Sequence, residues 1–199
     1  MKLIIASNNA HKMREFKEIL CPLGIELVSQ KEAGCDFEVD ETGTTFEENA
    51  YLKAIAVTEA TGLPAVADDS GLAVDALDGA PGIYSARYTG NHEDSDIDRY
   101  ELLLKNMENE EHRTARYVAC ISCTFPDGHH IDTRGECEGE ILRAPKGNGG
   151  FGYDPIFRPD GYERSMAELT PDEKNAISHR GHALVKFYDE LKEYLHDYH

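Results

Sequence analysis

The sequence predicts an α/β fold: a mixed sheet flanked by helices and assembled in two lobes. Three observations carry that expectation. Apolar runs at 2–6, 25–29 and 65–67 alternate with two stretches of helical periodicity, the pattern of parallel βαβ units with right-handed crossovers. Residues 115–125 set Ala115, Tyr117, Ala119, Ile121, Cys123 and Phe125 on one face, turn at Pro126-Asp127-Gly128 and return over 129–137, which reads as mixed β structure in a second lobe. After Thr170 the chain closes on a helix with one apolar stripe.

Taken in order, residues 2–6 read as a buried strand, and Ser7-Asn8-Asn9-Ala10-His11-Lys12 as a polar loop feeding a helix. Met13, Phe16, Ile19 and Leu20 give that helix its apolar stripe, and Pro22 and Gly24 end it. A second strand covers 25–29. In Asp36-Phe37-Glu38-Val39-Asp40-Glu41-Thr42-Gly43, acids alternate with apolar residues before a turn. Thr44-Thr45-Phe46-Glu47 opens the next helix with a capping box, and Phe46, Ala50, Ala54 and Val57 form its stripe up to Thr61-Gly62. Asn49 and Lys53 lie one turn apart beside that stripe. The run Ala65-Val66-Ala67 then ends abruptly in Asp68-Asp69-Ser70-Gly71, and Leu72, Val74 and Ala76 alternate as a further strand up to the Asp78-Gly79 turn. Gly79 to Tyr88 is a loop punctuated by glycine and proline that carries Arg87. Ile97, Tyr100, Leu103, Leu104 and Met107 predict a helix over 95–109 with one buried face. Gly147 to Gly152 holds four glycines in six residues, with Phe151 and Tyr153 as aromatic neighbours. Thr170-Pro171-Asp172-Glu173 is a strong helix start, Ser178-His179-Arg180-Gly181 interrupts the pattern, and Ile177, Leu184, Tyr188, Leu191 and Leu195 carry the last stripe.

Composition narrows the function. The 199 residues suffice for one sizeable domain or two small lobes sharing a cleft. A formal net charge of −18 repels nucleic-acid backbones and anionic membranes, so any phosphate must be held by a local cluster of cations. That favours a small nucleotide or phosphorylated metabolite over a nucleic-acid polymer or a membrane. The run Leu3-Ile4-Ile5-Ala6 is too short for a signal peptide or a membrane span, which predicts a cytoplasmic protein. The five cysteines, an odd number, read as reduced thiols. Cys120-Ile-Ser-Cys123 lies in a β-like run that would point its thiols to opposite faces, so both read as structural.

The chemistry concentrates in a few segments. Paired acids at the end of an apolar strand suit a hard divalent cation such as Mg²⁺, although a strand running into a polar turn gives the same letters. A polar loop entering a helix offers backbone N–H groups to an anion, and Lys12 in the first turn opposes the helix dipole, as a phosphate partner would explain. Lys53, and the stretch from Lys174 to Arg180, add cations; each also reads as an ordinary solvated helix residue. The glycine run lets backbone approach a ligand while the aromatic faces beside it stack on a base. Cations from three segments and carboxylates from two fit metal-assisted attack of water on a polyphosphate. Ser178-His179 is not a nucleophile pair, since neighbours on a helix face apart and no nucleophile elbow is present.

Read together, Ser7-Asn8-Asn9-Ala10-His11-Lys12, Glu41-Thr42-Gly43-Thr44-Thr45-Phe46-Glu47-Glu48-Asn49-Ala50, Ala67-Asp68-Asp69-Ser70-Gly71-Leu72, Gly79 to Tyr88, Gly150-Phe151-Gly152-Tyr153-Asp154-Pro155 and Ser178-His179-Arg180-Gly181 resemble the inosine triphosphate pyrophosphatase family, in one order from first strand to last helix. The resemblance implies a single domain over residues 1–199, elongated, with two lobes around a deep cleft, and a homodimer. It implies Mg²⁺-assisted hydrolysis of noncanonical purine nucleoside triphosphates (ITP, dITP, XTP) to the monophosphate and pyrophosphate, clearing them from the nucleotide pool. By the same resemblance Asp69 is the general base and a metal ligand, with Asp40 or Glu41 as the second acid at the metal. Ser7, Asn8, Asn9, Ala10, His11, Lys12, Lys53 and Ser70 then hold the triphosphate, and Phe151, Gly152, Tyr153, Asp154, Lys174, His179 and Arg180 hold base and sugar. Selectivity has a physical rationale: Arg180 carries only donors, which suit the oxygen at purine position 6 of inosine or xanthosine and not the amine of adenine. Two alternatives remain at this stage, a Maf-type pyrophosphatase acting on pyrimidine or modified nucleotides and a nucleotide sensor without catalysis.

Overall fold

The computed structural model describes residues 1–91 and 93–197. Among them β1 (Lys2–Ile5), β2 (Glu26–Ser29), β3 (Ala65–Val74), β4 (Thr114–Thr124), β5 (His130–Ile141) and β6 (Phe157–Pro159) form one sheet in the order β2-β1-β3-β4-β5-β6. The helices are α1 (Ala10–Leu20), α2 (Phe46–Thr61), α3 (Asp96–Asn106), α4 (Pro171–Ile177) and α5 (His179–Asp197). The chain divides into two compact units: Met1–Asp69 with Ala119–Gly135 and the chain from Arg180 on, and Ser70–Val118 with Glu136–His179.

The first unit holds the expected βαβ units. β1 runs parallel to β2, with Leu3 beside Leu27, and parallel to β3, with Ile4 beside Ala65. Successive strand residues face opposite sides of a sheet. Leu3 and Ile5 accordingly join Phe16, Leu20, Val66, Leu184 and Phe187 in one core, while Ile4 and Ala6 join Ala54, Val57, Ala65 and Ala67 in another. Each large apolar side chain buried this way contributes about 1.5–3 kcal/mol. Asn9 caps α1 and Gly24, at φ 84°, closes the short turn after it. Thr45 caps α2 by accepting from the Glu48 N–H, while the Glu48 carboxylate reaches back to the N–H of Thr44. The cap is therefore Thr45, with Glu48 holding the residue before it, and Glu47 pairs with Arg134.

The second unit packs Leu72, Val74, Leu103, Met107, Tyr117, Tyr153, Ile156 and Phe157 into its own core. Thr170 and Glu173 form the full capping box of α4. The structure differs from the sequence reading at two places. β3 does not stop at the acids but runs on through Ser70 and Gly71 to Val74, as one strand of 10 residues. Ile97, assigned to the buried face of α3, is 53% exposed.

All five cysteines are free, and four are buried. Burial raises the thiols of Cys120 and Cys123, and pushes Cys137 up to about 12, which suits inert structural residues. Among the described residues no helix is long and apolar enough to cross a membrane.

Candidate active site

In the first unit, Asp68 and Asp69 are consecutive on a strand, so they face opposite sides of the sheet and meet different helices. Asp68 shares a side with Val66 and lies against α1 and α5. Its Oδ1 is 3.3 Å from Lys12 Nζ, and its Oδ2 accepts from Arg180 Nη2 at 2.9 Å and Nε at 3.1 Å. Arg180 Nη1 donates to Glu15. Asp68, Arg180 and Glu15 are all buried. Asp69 faces α2, where Lys53 Nζ lies 3.3 Å from its Oδ1 and Asn49 Nδ2 lies 3.4 Å from its Oδ2. Lys53 Nζ also donates to Glu41 Oε1 at 2.7 Å, and Asn49 Oδ1 accepts the Gly43 N–H at 2.8 Å. Asn49 and Lys53 sit one turn apart on α2, which is why one helix serves both the acid and the loop before it.

The two acids differ in electrostatics. Burial would raise Asp68, but Lys12, Arg180 and Lys53 overcome it and hold the carboxyl well below the usual range. Burial raises Asp69, and Glu41 and Asp68 add to the rise against the pull of Lys53 and Lys12. Asp69 is thus a stronger proton acceptor than an ordinary aspartate, the direction a general base requires. Burial draws the Lys12 ammonium down. Lys53 is also pulled down by burial, yet the charges of Asp69, Asp68 and Glu41 hold it above its usual value.

The donor set fits Mg²⁺. Among the described residues no group of three or more His, Cys, Asp or Glu is arranged to hold a metal. Mg²⁺ takes one or two carboxylates and fills its remaining positions with water and substrate phosphate. Glu41 and Asp69 supply two carboxylates that share one ammonium. Asp40 is exposed, whereas Glu41 is half-buried with its carboxylate on the Lys53 ammonium that also meets Asp69.

The loop before α1 is ordered by its own side chains. Ser7 Oγ accepts the Asn9 N–H at 3.1 Å, and Asn9 Oδ1 accepts the N–H groups of His11 at 3.0 Å and Lys12 at 3.1 Å. Asn8, Asn9, Ala10 and His11 are exposed, with Ser7 and Lys12 half-buried.

In the second unit the glycine run and α4 converge on Asp154. Its Oδ1 accepts from Tyr117 Oη at 3.0 Å, and its Oδ2 accepts from Lys174 Nζ at 2.9 Å and from the Phe151 N–H at 3.1 Å. A Cβ on Gly150, at φ +67°, would lie 2.1 Å from Asp154 Oδ2, so only glycine fits there. Lys174 Nζ sits 4.7 Å above the Phe151 ring, and the ring of buried His179 stacks on Tyr117. Gly152 N–H donates to Asp96 at 2.7 Å, and Tyr153 Oη donates to the Ser85 carbonyl at 2.7 Å. Ser70 opens this unit, half-buried on β3.

The structure therefore gathers Asp69, Glu41 and Lys53 in one place, Lys12 beside Asp68, and Phe151, Asp154, Lys174 and His179 in another. The guanidinium of Arg180 is buried against Asp68 and Glu15. Charge complementarity explains this, since two buried carboxylates require a cation. Glu15, Asn49 and Tyr117 were not among the expected site residues, and Asp68 was singled out only as one of a pair of acids. Glu15 was detectable: it lies four residues before Ile19, on the apolar face of α1, where a charge signals a buried partner.

Comparison with known proteins agrees over almost the whole chain. The model of the Ham1 family matches residues 3–190. A protein of Clostridium perfringens named dITP/XTP pyrophosphatase is 48% identical over 96% of this chain and 97% of its own. One of the same name from Mesorhizobium japonicum is 46% identical over 94% of this chain and 91% of its own. The solved Ham1 protein of Staphylococcus aureus superposes with a TM-score of 0.88 at 42% identity, covering 97% of this chain and 99% of that one. A nucleoside-triphosphatase, dITP/XTP pyrophosphatase, of Mycobacterium abscessus gives 0.77 at 46% identity, over 94% and 98% of the two chains.

Proposed function

The chain belongs to the Ham1 family, and from that premise we propose that it is a dITP/XTP pyrophosphatase, cleaving ITP, dITP and XTP to the nucleoside monophosphate and pyrophosphate. The observation that carries the reading is the Asp69 carboxyl, raised by burial and held beside Glu41 and Lys53. Water attacks the α-phosphorus, its proton passes to Asp69, and the bond from that phosphorus to the α,β-bridging oxygen breaks. Pyrophosphate leaves with the electron pair. Bound Mg²⁺ supplies positive charge against the developing negative charge and lowers the pKa of water. Glu41 and Asp69 are the carboxylates that would hold it.

Ser7, Asn8, Asn9, Ala10, His11, Lys12, Lys53 and Ser70 hold the triphosphate in this reading. Phe151, Gly152, Tyr153, Asp154, Lys174 and His179 hold base and sugar. Arg180 joins them: it fixes Asp68 and, like Lys174, which Asp154 holds in turn, it presents only donors to the oxygen at purine position 6. An amine at that position would leave a buried donor without an acceptor, which is costly. The sequence resemblance further supports a homodimer acting in the cytoplasm.

A substrate panel tests the activity. Pyrophosphate release with Mg²⁺ is expected to be at least about 100-fold more efficient for ITP than for ATP or a pyrimidine triphosphate. Faster turnover of the pyrimidine nucleotide would favour Maf-type chemistry, and tight ITP binding without product would favour a sensor. The metal assignment has its own test. Glu41→Gln should raise the Mg²⁺ concentration for half-maximal rate by about tenfold or more, while Asp40→Asn leaves it nearly unchanged. The reverse order would return the second ligand to Asp40.

A further inference from the structure

Tyr117 touches both halves of the base-binding group in the second unit. Its hydroxyl donates to Asp154 Oδ1 at 3.0 Å, and its ring stacks on His179 at 4.6 Å between centroids and 9° between planes. A second ring contact, edge-on to Phe157 at 4.7 Å, anchors it in the core. Asp154 in turn holds the Lys174 ammonium and the Phe151 N–H with its other oxygen. Tyr117 is only 6% exposed. A buried hydroxyl is costly unless it is hydrogen-bonded, and phenylalanine would fill the same core volume without it. The hydroxyl is therefore in place for what it holds. Burial, with the neighbouring charge of Asp154, keeps the phenol well above its ordinary pKa, so it remains a donor.

We propose that Tyr117 is a positioning residue for base recognition, fixing Asp154, and through it Lys174, with its hydroxyl while setting the plane of His179 with its ring. The proposal rests on the assignment of Lys174 and His179 to the base and deepens it. Asp154, just before β6, and His179, at the start of α5, are both tied to one residue of β4, so the geometry seen by the base depends on that strand.

Two variants separate the two contacts. Tyr117→Phe keeps the stack on His179 and removes the bond to Asp154, and Tyr117→Leu removes both. Steady-state kinetics with ITP and ATP, alongside thermal unfolding, reads the outcome. Tyr117→Phe is expected to raise KM for ITP by about tenfold, with a much smaller fall in kcat and a reduced preference for ITP over ATP. Tyr117→Leu should lower that preference further. A purely structural role would instead lower the unfolding temperature and leave the ITP-to-ATP ratio intact. Lys174→Ala in the same assay keeps the two levels apart. Loss of preference in Lys174→Ala with none in either Tyr117 variant overturns this proposal alone. Unchanged preference in Lys174→Ala overturns the base assignment beneath it.

Discussion

Asp69→Asn is expected to lower kcat for ITP by about 10²- to 10⁴-fold, the usual contribution of a general base, without loss of fold stability. Asparagine matches the shape of aspartate and keeps one acceptor for Lys53, giving up the long bond from Asn49, and it cannot take a proton. The stability half of the expectation follows from linkage. Burial raises the folded-state pKa of Asp69 above 3.8. Such a group favours the folded state at pH below the unfolded value and loses that contribution as pH rises through the folded value. At neutral pH the ionised Asp69 therefore disfavours folding, and a neutral side chain relieves it. Single-turnover kinetics beside a thermal melt checks both. A rate near normal would remove Asp69 from the chemistry, and a large drop in melting temperature would make it structural.

Arg180→Ala should destabilise the fold by about 3–5 kcal/mol, because it takes the guanidinium from the buried carboxylates of Asp68 and Glu15 and leaves Lys12 as the cation beside Asp68. Arg180→Lys should recover only part of that, since an ammonium cannot grip Asp68 with two nitrogens as the guanidinium does. The pH dependence has the opposite sign to that of Asp69. The Asp68 carboxyl is held below its unfolded value of 3.8. Its contribution is full above that value and is lost as pH falls toward the folded one. Urea unfolding at pH 7 and at acid pH measures both effects, and the gap between wild type and Arg180→Ala should narrow in acid. A loss of less than about 1 kcal/mol at pH 7 would mean the buried network carries little stability.

These two expectations turn on what the sequence could and could not convey. Apolar periodicity placed α1, α2 and the parallel β1-β2-β3 arrangement, because burial on two faces writes itself into the letters at Leu3, Ile4 and Ile5. The Asp68-Asp69 pair looked like a strand end because polar residues and glycine usually mean a turn. The strand continues because each acid finds cations on its own face, a compensation invisible in one dimension. Arg180 was legible as important, while its contacts with Glu15 and Asp68 were not: those residues are 165 and 112 positions away in the chain. Tyr117 read only as one of a row of residues on one strand face; that face is core, and its hydroxyl contact with Asp154 has no local signature.

The central claim is the bond that breaks, and product identity tests it most directly. Phosphorus NMR of ITP incubated with the protein and Mg²⁺ should show inosine monophosphate and intact pyrophosphate as the first products. Inosine diphosphate with orthophosphate would place the attack at the γ-phosphorus and contradict the account.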